Sequence, residues 1–336
     1  MSAPTPTGRP PAMTDVAALA GVSHQTVSRV INSVGKVRPE TRERVLEAIE
    51  EVGYRRNEAA RALATSRSKM IGIIAPAEVN YGPSQMLSGI ELAAKEAGYF
   101  VSISALDELT EESFDDSINM FFGLGIAGIV VIAPVRQFAK ELRNIPPEVP
   151  TVVVSSTGDK DQSYLTFVGV DQREGAKSAV RHLIAQGCQT IAHIAGPSTW
   201  FDAIEREAGW REALGEAGLP EGPLLRGTWS ASSGYELANE LISQGTPDAI
   251  FASNDQLALG ALRALSVAGI DVPKQVKIVG FDNEPGSAYF SVPLTTVRQN
   301  FDAVGRSAIK ALTTRIKSGE SPDLLIKSDL VLRESA

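Results

Sequence analysis

A short polar series near the amino terminus has the residue types that read base edges in DNA. The series comprises Ser23, His24, Gln25, Thr26 and Arg29. Glutamine can hydrogen-bond adenine through two atoms, arginine can do the same with guanine, and hydroxyl groups can bind phosphates. This chemistry predicts recognition of duplex DNA, although the same polar face could also belong to a plain helical bundle.

Three short helices are predicted to position this series. We expect Thr14 to cap the first helix and Gly21 to end it, because glycine accepts the left-handed conformation that follows a helix. A second helix follows an N-cap at Ser23 and runs to Asn32. Two helices joined by a tight turn at Gly21-Val22 predict a helix-turn-helix, whose second helix enters the major groove.

The apolar positions of these helices predict the core of a small domain. In the second helix, Val27, Val30 and Ile31 share one face, opposite the polar series. The third helix is expected to start at Pro39, a favoured first position, and to end at Gly53. Its predicted apolar face consists of Val45, Leu46, Ile49 and Val52.

A second polar group follows apolar runs further along the chain. Ser155, Asn254, Asp255 and Asp282 stand at the ends of such runs, and Arg206 lies in the stretch after another. Carboxylates, an amide and a guanidinium suit a neutral polyol, whose hydroxyls donate to Asp and accept from Arg or Asn. Arg206 and Asp282 could instead form an ordinary ion pair.

Trp229 and Asp202 extend this second group. Trp229 lies in a polar turn, Gly227-Thr228-Trp229-Ser230, where its ring could stack on the C–H face of a pyranose. A position in the core is the alternative for this tryptophan. Asp202 is expected on the solvated surface.

The elements that carry the second group are predicted to be parallel strands. Near-continuous apolar runs separated by roughly ten to twenty helical residues indicate strands that are covered on both faces. The runs are residues 71–74, 101–103, 128–132, 151–154, 166–170, 191–194, 249–252 and 276–280. So many strands require two or more doubly wound sheets, and such sheets bind ligands at the carboxyl ends of their strands.

Composition excludes several classes of protein. The 336 residues suggest about two domains, and no window approaches the ~18 apolar residues of a membrane helix. The single cysteine, Cys188, excludes an intramolecular disulfide, and three scattered histidines give no ligand cluster. We therefore expect no metal, no cofactor and no membrane association.

Charge is distributed unevenly along the chain. Residues 1–68 contain ten Lys and Arg against seven Asp and Glu, whereas the remainder contains 22 against 33. A mildly basic head therefore precedes an acidic body. Residues 1–12 carry four prolines and no apolar run, which predicts a disordered tail of a cytoplasmic protein rather than a secretory signal.

One motif points to a different function. Gly123-Leu124-Gly125-Ile126-Ala127-Gly128 satisfies the dinucleotide-binding pattern of an NAD enzyme. That pattern needs a strand before the glycines and a helix after them, whereas here the predicted helix comes first. The common hydrolase and nucleotide motifs are missing from the sequence, so the chain is predicted not to be an enzyme.

The head resembles the LacI/GalR family of transcriptional regulators. The resemblance is carried by Asp15-Val16-Ala17, Ala20-Gly21-Val22-Ser23 and Thr26-Val27-Ser28-Arg29-Val30-Ile31-Asn32. It implies an α/β protein with a helix-turn-helix head, a hinge helix, and a two-lobed, periplasmic-binding-protein-like body of doubly wound parallel sheets. The DNA-binding residues that it implies are Thr14, Ser23, His24, Gln25, Thr26, Arg29, Asn32, Asn57, Arg61 and Leu63.

The family's hinge helix corresponds here to residues 57–64. A helix of this length is not stable alone in water, so ordering on DNA is expected. Leu63 would be the apolar wedge that parts a central base step in the minor groove, unless it packs on the body. Arg56 stands where the family commonly has proline, which predicts a less rigid entry to the hinge.

The resemblance covers essentially the whole chain and predicts its domains. The expected bounds are a tail at 1–12, a DNA-binding domain at 13–56, a hinge and linker at 57–68, and an effector-binding and dimerisation domain at 69–336. Within the last, one lobe would take about 69–167 and 299–325, and the other about 168–298 and 326–336.

The effector contacts of sugar-responsive family members also have counterparts here. The predicted effector-binding residues are Pro83, Ser84, Ser155, Arg206, Trp229, Asn254, Asp255, Phe281, Asp282 and Gln299. Ser155 stands where such a relative has aspartate, and Asp202 and Ile204 stand where it has serine and arginine. The pattern of hydroxyls that is recognised is therefore expected to differ.

The sequence as a whole predicts a repressor that binds operator DNA as a homodimer and responds to a small effector. A neutral sugar such as a galactoside is the first expectation. The alternatives are a nucleoside or sugar-phosphate co-repressor, and a sugar-binding module that does not act on DNA. Two-fold symmetry of the dimer would match a near-palindromic operator.

Overall fold

A computed structural model describes residues 11–32, 35–55, 68–77, 80–107, 110–133, 135–136, 141–156 and 164–336. The chain divides into two compact units, residues 1–67 and 68–336. The first unit holds α1 (Met13–Ala20), α2 (His24–Asn32) and α3 (Pro39–Val52). The predicted hinge helix, with Arg56, Asn57, Arg61 and Leu63, lies outside the described residues.

The three helices of the first unit pack around a small apolar core. Its fully or nearly buried members are Val16, Ala17, Ala20, Val27, Val30, Val45 and Ala48. Gly21 and Gly53 take the left-handed conformation, with φ of 64° and 66°, and end α1 and α3. Leu46 was expected on the apolar face of α3 but is 49% exposed, because its neighbour Val45 faces the core.

The predicted caps of these helices were right in one case and wrong in the other. The Ser23 hydroxyl accepts a hydrogen bond from the Thr26 amide at 3.2 Å, so Ser23 caps α2. Thr14 does not cap α1, since the helix begins at Met13 and its N-cap is Ala12, two residues before the predicted cap. Instead, the Asp15 carboxylate accepts from the Ala12 amide at 2.8 Å.

The second unit contains two mostly parallel sheets. The first sheet has the order β11-β5-β4-β3-β1-β2, and the second has the order β12-β10-β9-β8-β6-β7. All described pairs are parallel except β12, which runs antiparallel to β10. The described strands of the first sheet are β1 (Met70–Pro76), β2 (Phe100–Leu106), β3 (Gly128–Ile132), β4 (Thr151–Val154), β5 (Leu165–Val170) and β11 (Leu324–Ile326). Those of the second are β6 (Ile191–Ala195), β7 (Leu224–Arg226), β8 (Ala249–Ala252), β9 (Lys277–Asp282), β10 (Thr295–Arg298) and β12 (Asp329–Val331).

Helices cover both faces of each sheet, as the continuous apolar strands require. On the first sheet these are α4 (Tyr81–Glu96) and α10 (Phe301–Ser318) on one face and α5 (Glu111–Gly123) on the other. On the second sheet they are α6 (Gln172–Ala185) and α7 (Phe201–Glu216) on one face and α8 (Ala231–Gln244) and α9 (Asp255–Val267) on the other. The doubly wound α/β fold expected from the sequence is confirmed.

Four of the described strands were not predicted from the sequence. β7, β11 and β12 have three residues each, and β10 has only one aliphatic residue among its four, so none of them shows a clear apolar run. Strand β5 continues to Val170, three residues beyond the expected lobe boundary, and pairs with β11. The helix α5 ends at Gly123 and β3 begins at Gly128, so the glycine motif has a helix before it and a strand after it.

Within the described residues, no helix combines the length and the apolar character that crossing a bilayer would need.

Paired helices approach each other closely at glycines. Along α10 and α4, a Cβ atom at Gly305 would overlap the backbone of Gly89. A Cβ at Gly209 of α7 would likewise overlap the backbone of Arg173 in α6. At these contacts glycine is required for space rather than for its backbone freedom, because nothing larger fits between the helices.

We expect Gly305→Ala to destabilise the second unit by about 1–3 kcal/mol, since backbone atoms on both sides cannot move aside. Gly215→Ala is the matched control, because a Cβ there meets nothing within 4 Å; it should be neutral or stabilising by up to about 1 kcal/mol. All three tryptophans lie in the second unit, so urea unfolding followed by their fluorescence measures both effects. Equal midpoints for the two variants would contradict the close contact.

Candidate functional site

A cavity of about 780 Å³ lies at the carboxyl ends of strands from both sheets. From the first sheet it is lined by the segment that opens α4, namely Asn80, Tyr81, Gly82, Pro83 and Ser84. From the second sheet it is lined by Pro197, Trp200, Asp202, Arg206, Thr228, Trp229, Ser230, Asn254, Gln256, Asp282 and Glu284. All the charged residues that line it therefore come from the second sheet's side.

The cavity brings together six of the ten residues predicted to bind an effector. They are Pro83, Ser84, Arg206, Trp229, Asn254 and Asp282. Ser155, Asp255, Phe281 and Gln299 do not line it. Asp202, expected on the solvated surface, lines the cavity with 18% of its side chain exposed, which corrects that expectation.

Arg206 of α7 is the buried cation of this site, with 3% of its surface exposed. Its Nε donates to Gln172 Oε1 at 2.9 Å and its Nη1 to the Ser253 carbonyl at 2.5 Å. The guanidinium lies over the Phe281 ring, 3.9 Å from its centroid. Phe281 was predicted to bind the effector, but its ring packs against the Arg206 guanidinium and does not line the cavity.

Asp282, the last residue of β9, completes a closed ring of buried polar side chains. Arg206 Nη2 lies 3.4 Å from Asp282 Oδ1, and Gln299 Nε2 donates to the same oxygen at 2.6 Å. Gln172 Nε2 donates to Gln299 Oε1 at 2.8 Å and so returns to Arg206. Gln299, predicted to touch the effector, instead orients the Asp282 carboxylate.

Gln172 was missed by the sequence analysis, although a signal for it was present. It follows the end of β5 by two residues and is 1% exposed. Ligands bind at the carboxyl ends of parallel strands, and Gln172 lies at such an end. Its two amide atoms are both used within the ring, which keeps Arg206 and Asp282 in fixed orientations.

Burial shifts the pKa values of the carboxyl groups at the cavity. It raises the pKa of Asp282 to about 7, against the opposing effect of the Arg206 guanidinium. Burial also raises the pKa values of Asp202 and Glu284, and Gln256 opposes the shift at Glu284 through a 2.6 Å hydrogen bond. Three carboxyl groups and one guanidinium thus line the cavity, and each carboxyl group can accept from a hydroxyl group when ionised or donate to one when protonated.

Asp255 is completely buried beside this wall, at the start of α9. Its Oδ1 accepts from the Thr296 hydroxyl at 2.5 Å, and its Oδ2 accepts from the Glu284 amide at 2.8 Å. Burial, with a further contribution from the Asp282 carboxylate, raises the pKa of Asp255 to about 8. Both oxygens are engaged within the protein, which is why Asp255 does not reach the cavity.

Two tryptophans form the aromatic wall of the cavity. The rings of Trp200 and Trp229 meet edge to face, with centroids 5.4 Å apart and planes at 75°. A Cβ at Gly196 would overlap atoms of the Trp229 ring, so only glycine lets this ring lie against the end of β6. The Asn254 amide donates to the Trp229 carbonyl at 3.1 Å and fixes the turn that carries the ring.

Ser155 follows β4 and is buried, with 7% of its surface exposed. Its amide donates to the Val168 carbonyl at 3.1 Å, which continues the pairing of β4 with β5. Ser155 is not among the residues that line the cavity.

On the first unit, the polar series lies on the exposed side of α2. His24, Gln25, Arg29 and Asn32 are exposed, whereas Val27 and Val30 of the same helix are buried. The Ser23 and Thr26 hydroxyls lie 2.9 Å apart at the start of the helix. Thr14 is exposed in the first turn of α1. The described DNA-binding candidates therefore lie outside the apolar core and remain accessible to solvent.

Both units match known protein families. Residues 12–57 match the model of bacterial regulatory proteins of the lacI family, and residues 180–336 match that of the periplasmic binding protein-like domain. The lactose operon repressor of Escherichia coli (strain K12) is 32% identical over 306 residues, which cover 90% of this chain and 84% of that one. The chain belongs to the lacI family. It is a DNA-binding transcriptional repressor of that family, and the family resemblance found in the sequence is confirmed.

Solved structures of family members agree with this assignment over 97% of the chain. A lac repressor dimer bound to operator and the anti-inducer ONPF superposes with a TM-score of 0.89 at 30% identity, covering 97% of this chain and 99% of that one. A complex of the transcriptional regulator CelR with cellobiose superposes with a TM-score of 0.72 at 28% identity, covering 97% and 100%.

The raised pKa values predict how stability depends on pH. In the unfolded chain Asp255 would titrate near pH ~4, whereas in the folded chain its pKa is about 8. The folded state therefore binds more protons between these values, and stability falls as the pH rises through this window. Asp255→Asn should show a smaller fall in urea midpoint between pH 5 and pH 8 than the wild type.

The control for this experiment is Asp329→Asn, whose carboxylate lies on the surface with 66% of the side chain exposed. This variant should retain the wild-type pH profile. The comparison concerns slopes, because Asp255→Asn also loses an acceptor and will start from a lower midpoint. Parallel profiles for the wild type and Asp255→Asn would show that Asp255 is ionised in both states.

Proposed function

We propose that this repressor binds its operator as a homodimer and that a neutral sugar in the cavity controls its affinity for DNA. The observation that carries the proposal is the ring formed by Arg206, Asp282, Gln299 and Gln172 beside the aromatic wall. On this view the body carries no catalytic site, and the protein acts in the cytoplasm, where its DNA lies.

The chemistry of the cavity supports a neutral polyol. Asp202, Asp282 and Glu284 offer acceptors to hydroxyl groups, and Arg206 offers donors. A phosphate would meet three carboxyl groups that repel it whenever they are ionised, and the cation of the lining, Arg206, is already paired with Asp282, which disfavours a sugar-phosphate effector. The Trp229 ring supplies an apolar face for the C–H side of a pyranose.

Known relatives support the same class of effector. The CelR complex, which superposes on 97% of this chain, holds cellobiose, a disaccharide of neutral sugars. A galactoside is our first choice, on the residue-by-residue resemblance of Pro83, Ser84, Arg206, Trp229, Asn254 and Asp282 to the effector contacts of a sugar-responsive relative. Ser155 and Asp202 differ from that relative, so the recognised hydroxyl pattern would differ too.

For the DNA, we propose that α2 lies in the major groove of each half-site. His24, Gln25 and Arg29 would contact base edges, and the hydroxyls of Ser23 and Thr26 would contact phosphates. Thr14 and Asn32 are proposed as further contacts. By the family resemblance, Asn57, Arg61 and Leu63 would act in the minor groove.

Effector and operator would be coupled through two states of the body. If the sugar weakens operator binding by some factor, operator must weaken sugar binding by the same factor, commonly ~5–150-fold. The first experiment is fluorescence anisotropy of duplexes from upstream of the protein's own locus, with and without galactosides, glucosides and other neutral sugars. Release by one sugar supports an inducible repressor; tight binding that no sugar changes would refute the sugar effector.

Arg29→Ala should lower affinity for the operator about 5–150-fold, because a bidentate contact to a base contributes ~1–3 kcal/mol of discrimination. Affinity for a scrambled duplex should fall much less, so the specificity ratio should fall too. Arg44→Ala, which removes the same charge from the exposed side of α3, should leave the ratio unchanged. Equal ratios for both variants would exclude Arg29 as a base-reading residue.

Asp282→Ala should weaken binding of the identified sugar about 10–150-fold, since hydrogen bonds to a charged group contribute ~1.5–3 kcal/mol. Operator affinity without sugar should stay within twofold of the wild type. Isothermal titration measures the first effect and anisotropy the second, with Asp329→Ala as the surface control. A wild-type response to sugar in Asp282→Ala would show that the assigned site is wrong.

A further inference from the structure

The corner after β9 has an unusual backbone conformation. Asp282 has φ of 102° and the next residue, Asn283, has φ of 52°. Positive φ angles are uncommon for residues other than glycine. Asp282 and Glu284 both line the cavity, so the direction of both carboxylates depends on this corner. Such conformations persist only where surrounding contacts hold them.

The first contacts that hold the corner come from Thr296 and Asp255, neither of which lines the cavity. The Thr296 hydroxyl accepts from the Asn283 amide at 3.3 Å and donates to Asp255 Oδ1 at 2.5 Å. Asp255 Oδ2 in turn accepts from the Glu284 amide at 2.8 Å. Two consecutive amides of the corner are therefore bonded to one buried pair of side chains, both 0% exposed.

A third contact comes from Arg333, in the segment that follows β12. Its Nη2 donates to Asn283 Oδ1 at 2.7 Å, and its Nη1 donates to the Leu294 carbonyl at 2.7 Å. Ser335 anchors this segment, since its hydroxyl donates to the Ile278 carbonyl at 2.7 Å and accepts from the Thr295 amide at 2.8 Å. The side chain of Asn283 is thus tied through Arg333 to Leu294, the residue before β10.

We propose that Thr296, Asp255 and Arg333 are positioning residues for the effector site, which hold the corner so that Asp282 and Glu284 face the cavity. The inference rests on the proposed function for what the cavity binds. It assigns Asp255 a role different from the effector contact predicted from sequence. It also assigns a role to Thr296 and Arg333, which the sequence analysis did not single out.

The test compares Thr296→Val, which removes the hydroxyl but keeps the shape, with Thr296→Ser, which restores the hydroxyl. Amide hydrogen exchange of the peptide 281–287 should be at least tenfold faster in the Val variant and close to wild type in the Ser variant. Exchange of peptides covering β6 should be slow in both, because the change is local. Arg333→Gln, in which Thr296 is kept, should also speed amide hydrogen exchange of the peptide 281–287.

The second measurement is binding of lactose and of cellobiose by isothermal titration. For whichever of these the wild type binds, Thr296→Val should lower affinity at least tenfold and Thr296→Ser should recover it. Operator affinity without sugar should be unchanged in both variants. A purely structural role would lower the thermal midpoint and speed exchange throughout the unit without this recovery pattern.

The inference is overturned if the corner exchanges at the wild-type rate in Thr296→Val, or if Thr296→Ser fails to restore it. It is also overturned if all core peptides of the unit accelerate together. If the corner responds as expected but the wild type binds no neutral sugar, the positioning role stands and the proposed sugar effector fails. The two ideas therefore fail by different results.

Discussion

The candidate site depends on the burial of one guanidinium. An arginine that is 3% exposed is costly unless hydrogen bonds and an opposite charge satisfy it. Its partners Gln172, Ser253 and Asp282 stand at the ends of β5, β8 and β9, and Gln299 follows β10. Four strands must therefore be in place before the charge of Arg206 is satisfied, which ties the site to the assembly of both sheets.

The same constraint explains why some predicted side chains face the cavity and others do not. The rule that ligands bind at the carboxyl ends of parallel strands placed Arg206, Asn254 and Asp282 correctly at one edge. It could not tell which of them turn inward, since that is decided by long-range pairs such as Asp255 with Thr296. Gln299 and Asp255 therefore belong to the support of the site, and Gln172 was overlooked although the rule covered it.

Most of the fold was predictable because its signals are local. Continuous β-branched runs and glycine helix ends gave the parallel strands and the three helices of the head. The exceptions have physical causes. Strands of three residues, and one four-residue strand with a single aliphatic side chain, show no apolar run. The start of α1 lies two residues before the predicted one, because the Asp15 carboxylate accepts from the Ala12 amide and Thr14 does not cap the helix. The family resemblance supplied what periodicity could not, namely the two-lobed arrangement.

The uneven distribution of charge around the cavity bears on how a sugar could shift the body between two states. The charged side chains of the lining all belong to the second sheet's side, whereas the first sheet contributes the neutral segment 80–84. A ligand held by Asp202, Arg206 and Asp282 would keep those contacts in either arrangement of the sheets. A ligand changes an equilibrium only through contacts that differ between its states. The neutral segment at the start of α4 is therefore the part of the lining whose contacts would decide which state the sugar favours.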